Sequence, residues 1–232
     1  MISYIMPKEP GYRLIRSKKR KKTIALRIQR NGVITIRAPY HTPSRDIDRF
    51  YEDKKQWLSK KLSSKGISPG TPKKFITGET FLFLGTSYEL DIRDPNGGKA
   101  TLDFSNNRFV LSGNHNDRVK ELFIRWYKKE ALKKITERVD FYSRRLDLFP
   151  EGVKITNAEY RWGSCSAGNV LCFSWRLAMI PPAVVDYVVV HELLHMKEKN
   201  HSPKFWHFVE TAMPRFQEQK QWLKNNSYGL FL

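Results

Sequence analysis

The sequence lacks the features of a membrane or disulfide-rich protein. No apolar run approaches the roughly 18–20 residues that a membrane helix requires. The only cysteines are Cys165 and Cys172, which lack CxxC spacing, so we expect reduced thiols. The first residues, MISYIMPKEPG, show no basic segment followed by the long apolar segment of a secretory signal. We therefore expect a globular protein of the cytoplasm that makes no use of a membrane.

Acidic residues are also scarce relative to basic ones. The chain has 42 Lys and Arg against 23 Asp and Glu, which gives a formal net charge of +19. Residues 1–112 hold most of this excess, with 23 basic residues against 10 acidic ones. Such a balance favours contact with phosphates of nucleic acid, nucleotides or an anionic surface, although a solvated basic surface explains it equally well.

The basic residues are densest in a run of five, and this run has two interpretations. It lies between two predicted strands, where we expect it to form the turn of a first hairpin. A charged turn is one interpretation, and a site that binds the phosphates of a substrate or of nucleic acid is the other. The run consists of Lys18, Lys19, Arg20, Lys21 and Lys22.

The order of predicted elements indicates an α+β fold. Residues 12–38 contain three segments with the alternation and β-branching typical of strands, and Asn31-Gly32 is a strong hairpin signal between the last two. A helix is predicted over 44–63, four short strands over about 81–112 and a long helix over 117–147. We therefore predict a β-rich basic region over 1–112 and a mainly helical catalytic domain over 113–232.

The stretch HELLH, residues 191–195, carries the clearest chemical signal. Residues four apart stack on one face of a helix, so His191 and His195 could share one cation. Glu192 lies close enough to act as a general base on water without being a ligand. The preceding segment PPAVVDYVVV must be helical for this arrangement, and Pro181-Pro182 suits a helix start. Such a helix would be largely buried, and a metal would satisfy polar groups that are costly to bury alone.

A catalytic zinc needs a third protein ligand, and three residues compete for this place. In a continuous helix His201 would lie about 240° round from His195, so the chain must turn after about Lys199. Asn200 tolerates the left-handed conformation that ends helices, and Ser202-Pro203 suits the start of a new helix. The third-ligand candidates are His201, Glu210 and His207.

The stretch RWGSCS, residues 161–166, precedes a predicted hairpin. If Gly168-Asn169 forms a two-residue turn, Cys165 faces Cys172, a pairing that a one-residue slip would abolish. One interpretation is a structural hairpin with Trp162 and Trp175 in the core. The other is an edge strand that pairs with an extended substrate.

These stretches together resemble the YgjP-like metallopeptidase family, which is related to SprT-like and Wss-type zincins. RWGSCS and the HELLH stretch with a histidine six residues later are the most specific parts, and Asn200-His201-Ser202 and Phe205-Trp206 add to the resemblance. The resemblance covers most of the chain. It implies one Zn²⁺ per chain, held by His191, His195 and His201, with Glu192 as the catalytic base.

The substrate remains open at the level of the sequence. A peptide is the first expectation, with Tyr160, Arg161, Tyr187 and Tyr228 as candidates to contact substrate or stabilise an oxyanion. A nucleoside triphosphate pyrophosphohydrolase is the alternative that the basic half favours and with which the resembled family has been associated, although no GxxxxGK[ST] loop is present. A nucleic-acid-associated protease or binding module is the third. Nothing in the sequence indicates an oligomeric state.

Overall fold

A computed structural model describes residues 12–28, 34–63, 73–94, 97–114, 118–159, 161–226, 230 and 232. Strands dominate its first half and helices its second, which confirms the predicted α+β class. The chain divides into two compact units, residues 1–71 with 225–231, and residues 72–224 with Leu232. This division differs from the one at residue 112 that composition suggested. No helix in the described part is both long and apolar enough to cross a bilayer.

The first unit contains one small sheet and one helix. Ile34, Ile36 and Ala38 of the sheet pack against Ile47 and Leu58 of the helix to form its core. The helix covers the predicted range and is amphipathic, as expected for an element with one buried face. The elements are β1 (Tyr12–Ser17), β2 (Ala25–Ile28), β3 (Ile34–Pro39) and α1 (Ser44–Ser63).

The basic run does not form the turn of a hairpin, so that prediction was wrong. The strand order is β1-β3-β2, with β1 parallel and β2 antiparallel to β3. Strand β3 lies in the centre of the sheet because it is the most buried of the three strands. The segment with the basic run therefore connects the two edge strands, β1 and β2. The predicted Asn31-Gly32 turn lies outside the described residues.

The described residues of the second unit form two sheets, four α-helices and a short 3-10 helix (Trp175–Met179). Its first sheet has the order β4-β5-β7-β6, and its second has the order β8-β10-β9. The first sheet comprises β4 (Thr80–Phe83), β5 (Thr86–Arg93), β6 (Thr101–Ser105) and β7 (Arg108–Ser112). The second comprises β8 (Gly152–Thr156), β9 (Gly163–Cys165) and β10 (Val170–Ser174). The helices are α2 (Val119–Leu146), α3 (Pro182–Leu194), α4 (Pro203–Ala212) and α5 (Phe216–Asn226).

Helix α2 holds the core of this unit. Phe123 and Tyr127 are fully buried in an aromatic cluster with Phe109 of β7, and the Tyr127 hydroxyl donates to the Leu82 carbonyl. Burial recurs every four residues further along, at Ala131 and Ile135 among others. Leu132 is 46% exposed because the core-facing stripe of the helix runs through Ala131, one position earlier.

Two contacts fix helix α3, which begins at Pro182 as predicted. Gly85 has a φ of +87°, and a Cβ atom there would lie 2.8 Å from Cγ of Pro181, so only glycine fits this turn. Further along, Arg138 of α2 makes two hydrogen bonds to the carboxylate of Asp186, at 2.5 and 2.8 Å. The Tyr142 hydroxyl donates to the same carboxylate at 3.2 Å. Helix α3 is therefore held at its start and along its side.

Candidate metal centre

Helix α3 places two histidines and a glutamate at its C-terminal end. Its valines and leucines are buried, and Glu192 and His195 are buried with them, at 6% and 9% exposure. His191 is half-buried. Because His191 and His195 are four residues apart, their rings lie one above the other with centroids 4.7 Å apart.

The chain turns back immediately after His195. The helix ends at Leu194, several residues before the predicted turn, and the backbone amides of Met196 and Lys197 bond to the carbonyls of Leu193 and Leu194. Asn200 does not adopt the expected left-handed conformation. Its side-chain oxygen instead accepts a hydrogen bond from the Ser202 amide at 2.9 Å, an Asx turn that reverses the chain.

Helix α4 then begins as the sequence predicts, and this brings His201 back to the end of α3. The Ser202 hydroxyl caps the helix by accepting from the Phe205 amide, and Pro203 occupies the first turn. Nε2 of His201 lies 3.0 Å from Nε2 of His191, and Nε2 of His195 lies 3.1 Å from the same atom. Three Nε2 atoms therefore converge at one point.

The hydrogen bonds of His195 determine which of its nitrogens is free. Its Nδ1 lies 3.0 Å from the carbonyl oxygen of Glu198. A carbonyl can only accept, so Nδ1 carries the proton and the lone pair is on Nε2. That lone pair faces the other two imidazoles. A backbone carbonyl that orients a ring in this way is typical of histidines that bind metals.

Burial keeps the histidines of the helix neutral. Burial is the main cause that lowers the pKa of His191 to about 3, and repulsion from His195, His201 and Lys220 acts in the same direction. Burial also lowers the pKa of His195, although the hydrogen bond to the Glu198 carbonyl opposes this. Neutral imidazole is the form that binds a cation. Nδ1 of His191 is buried without a hydrogen-bond partner in the described part of the chain.

The donor set fits a divalent metal such as zinc. In the described residues, the one group of three or more histidine, cysteine or carboxylate side chains close enough to hold an ion is His191, His195 and His201. A cation would remove the repulsion between their converging lone pairs. His207 and Glu210, the other candidates for the third ligand, are exposed on α4 and do not join this group.

Glu192 lies beneath the edge of the second sheet. A Cβ atom on Gly163 of β9 would lie 2.5–2.7 Å from Oε1, Cγ and Cδ of Glu192, so the absence of a side chain at Gly163 leaves room for the carboxylate. Burial raises the pKa of Glu192 to about 8, and the positive charge of Arg161 opposes this increase. Arg161 is exposed, and its charge acts on this carboxylate.

The register of the hairpin over Glu192 differs from the expected one. Cys165 pairs with Leu171, and Cys172 pairs with Ser164, so the two cysteines lie on opposite faces of the sheet. The turn has three residues instead of two, because Asn169 adopts a positive φ of 56° and the Ser166 amide donates to the Val170 carbonyl. The predicted contact between Cys165 and Cys172 was wrong.

Aromatic rings and cations surround the three histidines, and the sequence did not reveal their roles. Phe205 stacks on His195 with ring centroids 4.4 Å apart, and Trp206 stacks on His201 at 5.7 Å. The Lys220 ammonium lies 3.7 Å from the centroid of the Trp206 ring. The spacing of Phe205 and Trp206 after His201 was a usable signal, whereas Lys220 reaches the site from another helix.

Lys199 ties the turn after α3 to the β9–β10 hairpin. Its ammonium donates to the Ser166 carbonyl at 3.0 Å and to Oδ1 of Asn169 at 2.9 Å, and it contacts Sγ of Cys165 at 3.5 Å. The turn that carries His201 is thus fixed to the strand that covers Glu192.

Among the described residues, the remaining predicted site residues do not join the histidine group. Tyr160 and Tyr228 lie outside the described residues. Tyr187 is buried one turn before His191, with ring centroids 5.8 Å apart, and burial raises its pKa to about 12. The basic run from Lys18 to Lys22 belongs to the first unit, whereas the histidines belong to the second.

Adding a methyl group at Gly163 should destabilise the protein. We expect Gly163→Ala to lower the free energy of unfolding by about 1–3 kcal/mol, because the new Cβ overlaps a buried side chain. Gly168→Ala is the matched control in the same hairpin, since a Cβ there meets no atom within 4 Å. The free energy of unfolding of both variants is measured by urea denaturation. Equal stability of the two would show that Glu192 does not fill the space beside Gly163.

Comparison with known proteins agrees with the chemistry of this site. A crystal structure of the metallopeptidase zymogen of Pyrococcus abyssi abylysin is 19% identical, covering 40% of this chain and 96% of that one with a TM-score of 0.37. A similarity this low carries no argument about fold or function. No curated protein matches the sequence significantly. Residues 22–226 match the family described as "YgjP-like, metallopeptidase domain", and the chain therefore belongs to the YgjP-like family.

Proposed function

We propose that the chain is a zinc-dependent peptidase in which His191, His195 and His201 hold one Zn²⁺ and Glu192 acts as the general base. Membership of a metallopeptidase family gives the general class. The observation that carries the proposal is the convergence of three imidazole nitrogens, 3.0 and 3.1 Å apart, beside a buried carboxylate. Three protein ligands and one open position are the arrangement of catalytic zinc sites.

Each ligand is positioned by a different part of the fold. His191 is held by helix α3, and His195 by α3 and the hydrogen bond to the Glu198 carbonyl. His201 is held by the Asx turn before α4 and by its stacking on Trp206. Zn²⁺ held by these three histidines would supply a Lewis acid that polarises a carbonyl oxygen and lowers the pKa of water.

Glu192 is placed to accept a proton from the attacking water and to pass it to the leaving amine. The carboxylate of Glu192 occupies the space left by the missing side chain of Gly163. Glu192 lies between His191 and His195 in the sequence. Burial raises the pKa of Glu192 to about 8, and the positive charge of Arg161 opposes this by favouring the ionised form that a base requires.

Strand β9 offers a place for an extended peptide. It pairs with β10 on one side, and within the described part of the chain no strand pairs with its other side. A peptide could add to this free edge through backbone hydrogen bonds, which would lead it past Glu192. Arg161, immediately before β9, would then contact the substrate.

Positive charge around the site favours an acidic substrate. Each of three cations lowers the pKa of a different residue of the site. Arg161 affects Glu192, Lys199 affects His195 and Lys220 affects His191. Lys199 is already bonded to neutral acceptors, whereas Lys220 is exposed and rests on an aromatic ring. Lys220 is thus better placed than Lys199 to contact a carboxylate near the scissile bond.

A nucleoside triphosphate is the second candidate substrate, because the same cations would attract phosphates. Parallel assays with casein and with nucleoside triphosphates distinguish the two. Turnover of casein that depends on Glu192 supports the peptidase, and release of pyrophosphate and nucleoside monophosphate in its place would favour the pyrophosphohydrolase.

Metal content tests the ligand set. We expect about one zinc per chain, and His191→Ala, His195→Ala and His201→Ala should each reduce it, because a catalytic site needs three protein ligands. His207→Ala and Glu210→Ala are matched controls on α4, outside the histidine group. Elemental analysis of the purified variants measures the loss. Full retention of zinc by His201→Ala would remove that residue from the ligand set.

Replacement of Glu192 separates chemistry from architecture. Glu192→Gln keeps the size of the side chain and removes the base. Zinc content and melting temperature should stay near those of the wild type, while kcat should fall by about 10²–10⁴, the usual contribution of a positioned general base. Wild-type turnover at equal zinc occupancy would show that Glu192 is not the base.

Peptide selectivity tests Lys220. We expect Lys220→Gln to reduce kcat/KM about tenfold for peptides with Asp or Glu beside the scissile bond, which corresponds to one lost charged hydrogen bond. Neutral peptides should be cleaved as before. Lys224→Gln, one turn later on α5, removes the same charge and should leave both values unchanged. Equal loss on acidic and neutral peptides would contradict a role in selectivity.

A further inference from the structure

The first unit contains a concave basic surface that the proposed peptidase does not use. A groove of about 860 Å³ runs between the basic run and the segment that follows β3. One wall carries Lys18, Arg20, Lys21 and Lys22, and the other includes Tyr40 and His41. Its volume is within the range of roughly 300–1,000 Å³ typical of pockets that bind small molecules.

The charges of this groove are largely uncompensated. Lys18, Lys21 and Lys22 are exposed, and no carboxylate in the described part of the chain lies within ion-pair distance of them. Asp46 is the one acidic residue that lines the groove. Arg20 has a structural role in addition, because it donates to the carbonyl and hydroxyl oxygens of Thr23 at 3.1 Å.

The wall opposite the run is fixed in place. Arg16 of β1 donates to the carbonyls of Tyr40 and Thr42, at 2.8 and 2.6 Å, and to the Ser44 hydroxyl at 3.3 Å. The segment from Tyr40 to Ser44 is therefore held against β1 before any ligand binds. A preformed groove loses less conformational entropy on binding than a mobile one.

Tyr40 adds an aromatic surface to the positive charge. It is 42% exposed, and the Lys18 ammonium lies 5.5 Å from the centroid of its ring. An exposed ring beside unpaired lysines matches proteins that stack the bases of single strands and neutralise their phosphates. A flat bilayer would reach the lysines but not the floor of a concave groove.

We propose that this groove, formed by Lys18, Lys21, Lys22 and Tyr40, binds single-stranded nucleic acid. The lysines contact successive phosphates, and the tyrosine stacks on one base. The proposal does not depend on the metal centre, since the groove belongs to the first unit alone.

Salt dependence of oligonucleotide binding tests the charges. The full-length protein is titrated with a fluorescent oligothymidylate at several salt concentrations. Changing Lys18, Lys21 and Lys22 to Ser should weaken binding and reduce the slope of log affinity against log salt by about 2, since each phosphate contact on a single strand contributes about 0.7. The same three residues changed to Arg should retain the slope.

Two controls separate the groove from net charge. Arg37, Lys54 and Lys55 are exposed in the same unit and do not line the groove, so changing these three to Ser removes equal charge and should leave the slope unchanged. Lys19→Ser should behave like this control, because Lys19 belongs to the run but not to the groove. Equal slopes for the groove variant and the control would overturn the proposal.

Tyr40 tests whether bases are recognised. Tyr40→Ala should weaken oligonucleotide binding about tenfold at fixed salt, and Tyr40→Phe should retain it, because stacking needs the ring and not the hydroxyl. Duplex DNA and vesicles containing phosphatidylserine should compete poorly. The proposal would be wrong if Tyr40→Ala bound the oligonucleotide with unchanged affinity and if duplex DNA or vesicles competed equally well. The groove would then bind polyanions in general and not single-stranded nucleic acid.

Discussion

Helix α3 must keep His191, Glu192 and His195 within an almost entirely apolar environment. Burying such groups without partners costs several kcal/mol, so the neighbouring elements have to compensate for it. The turn after the helix supplies the Glu198 carbonyl, and helix α4 supplies an imidazole and stacking rings. Gly163 of β9 leaves space for the carboxylate. The cluster leaves converging lone pairs that a cation would satisfy, and a cation bound there would add to the stability of this region.

The sequence predicted those parts of the site that depend on local spacing. His191 and His195 share a face because of helical periodicity, and the start of α4 follows from Ser202-Pro203. The fold class and the extent of α1 also followed from apolar periodicity and proline positions. These features are predictable because each depends on a few consecutive residues.

Features that depend on tertiary pairing were predicted less well. The predicted pairing of Cys165 with Cys172 was wrong because the positive φ of Asn169 gives the hairpin a three-residue turn. A shift of one residue in the pairing moves every side chain to the opposite face of the sheet. The predicted hairpin between β1 and β2 was wrong because the burial of β3, and not the length of a turn, decides which strand lies in the centre of the sheet. Lys220 was not predicted because its distance from the histidines depends on how α5 packs. The residues next to Lys220 in the sequence carry no pattern that indicates this packing.

The three imidazoles are anchored unequally, and this bears on the kinetics of metal exchange. His191 and His195 are half-buried or buried on α3, whereas His201 is exposed on a turn. If the proposed site holds a cation, His201 would therefore be the ligand that a chelator displaces most easily. The bonds of Lys199 to the β9–β10 hairpin restrain that turn. Lys199, which is not one of the three histidines, would thus help to retain a cation at the proposed site by restraining the turn that carries His201.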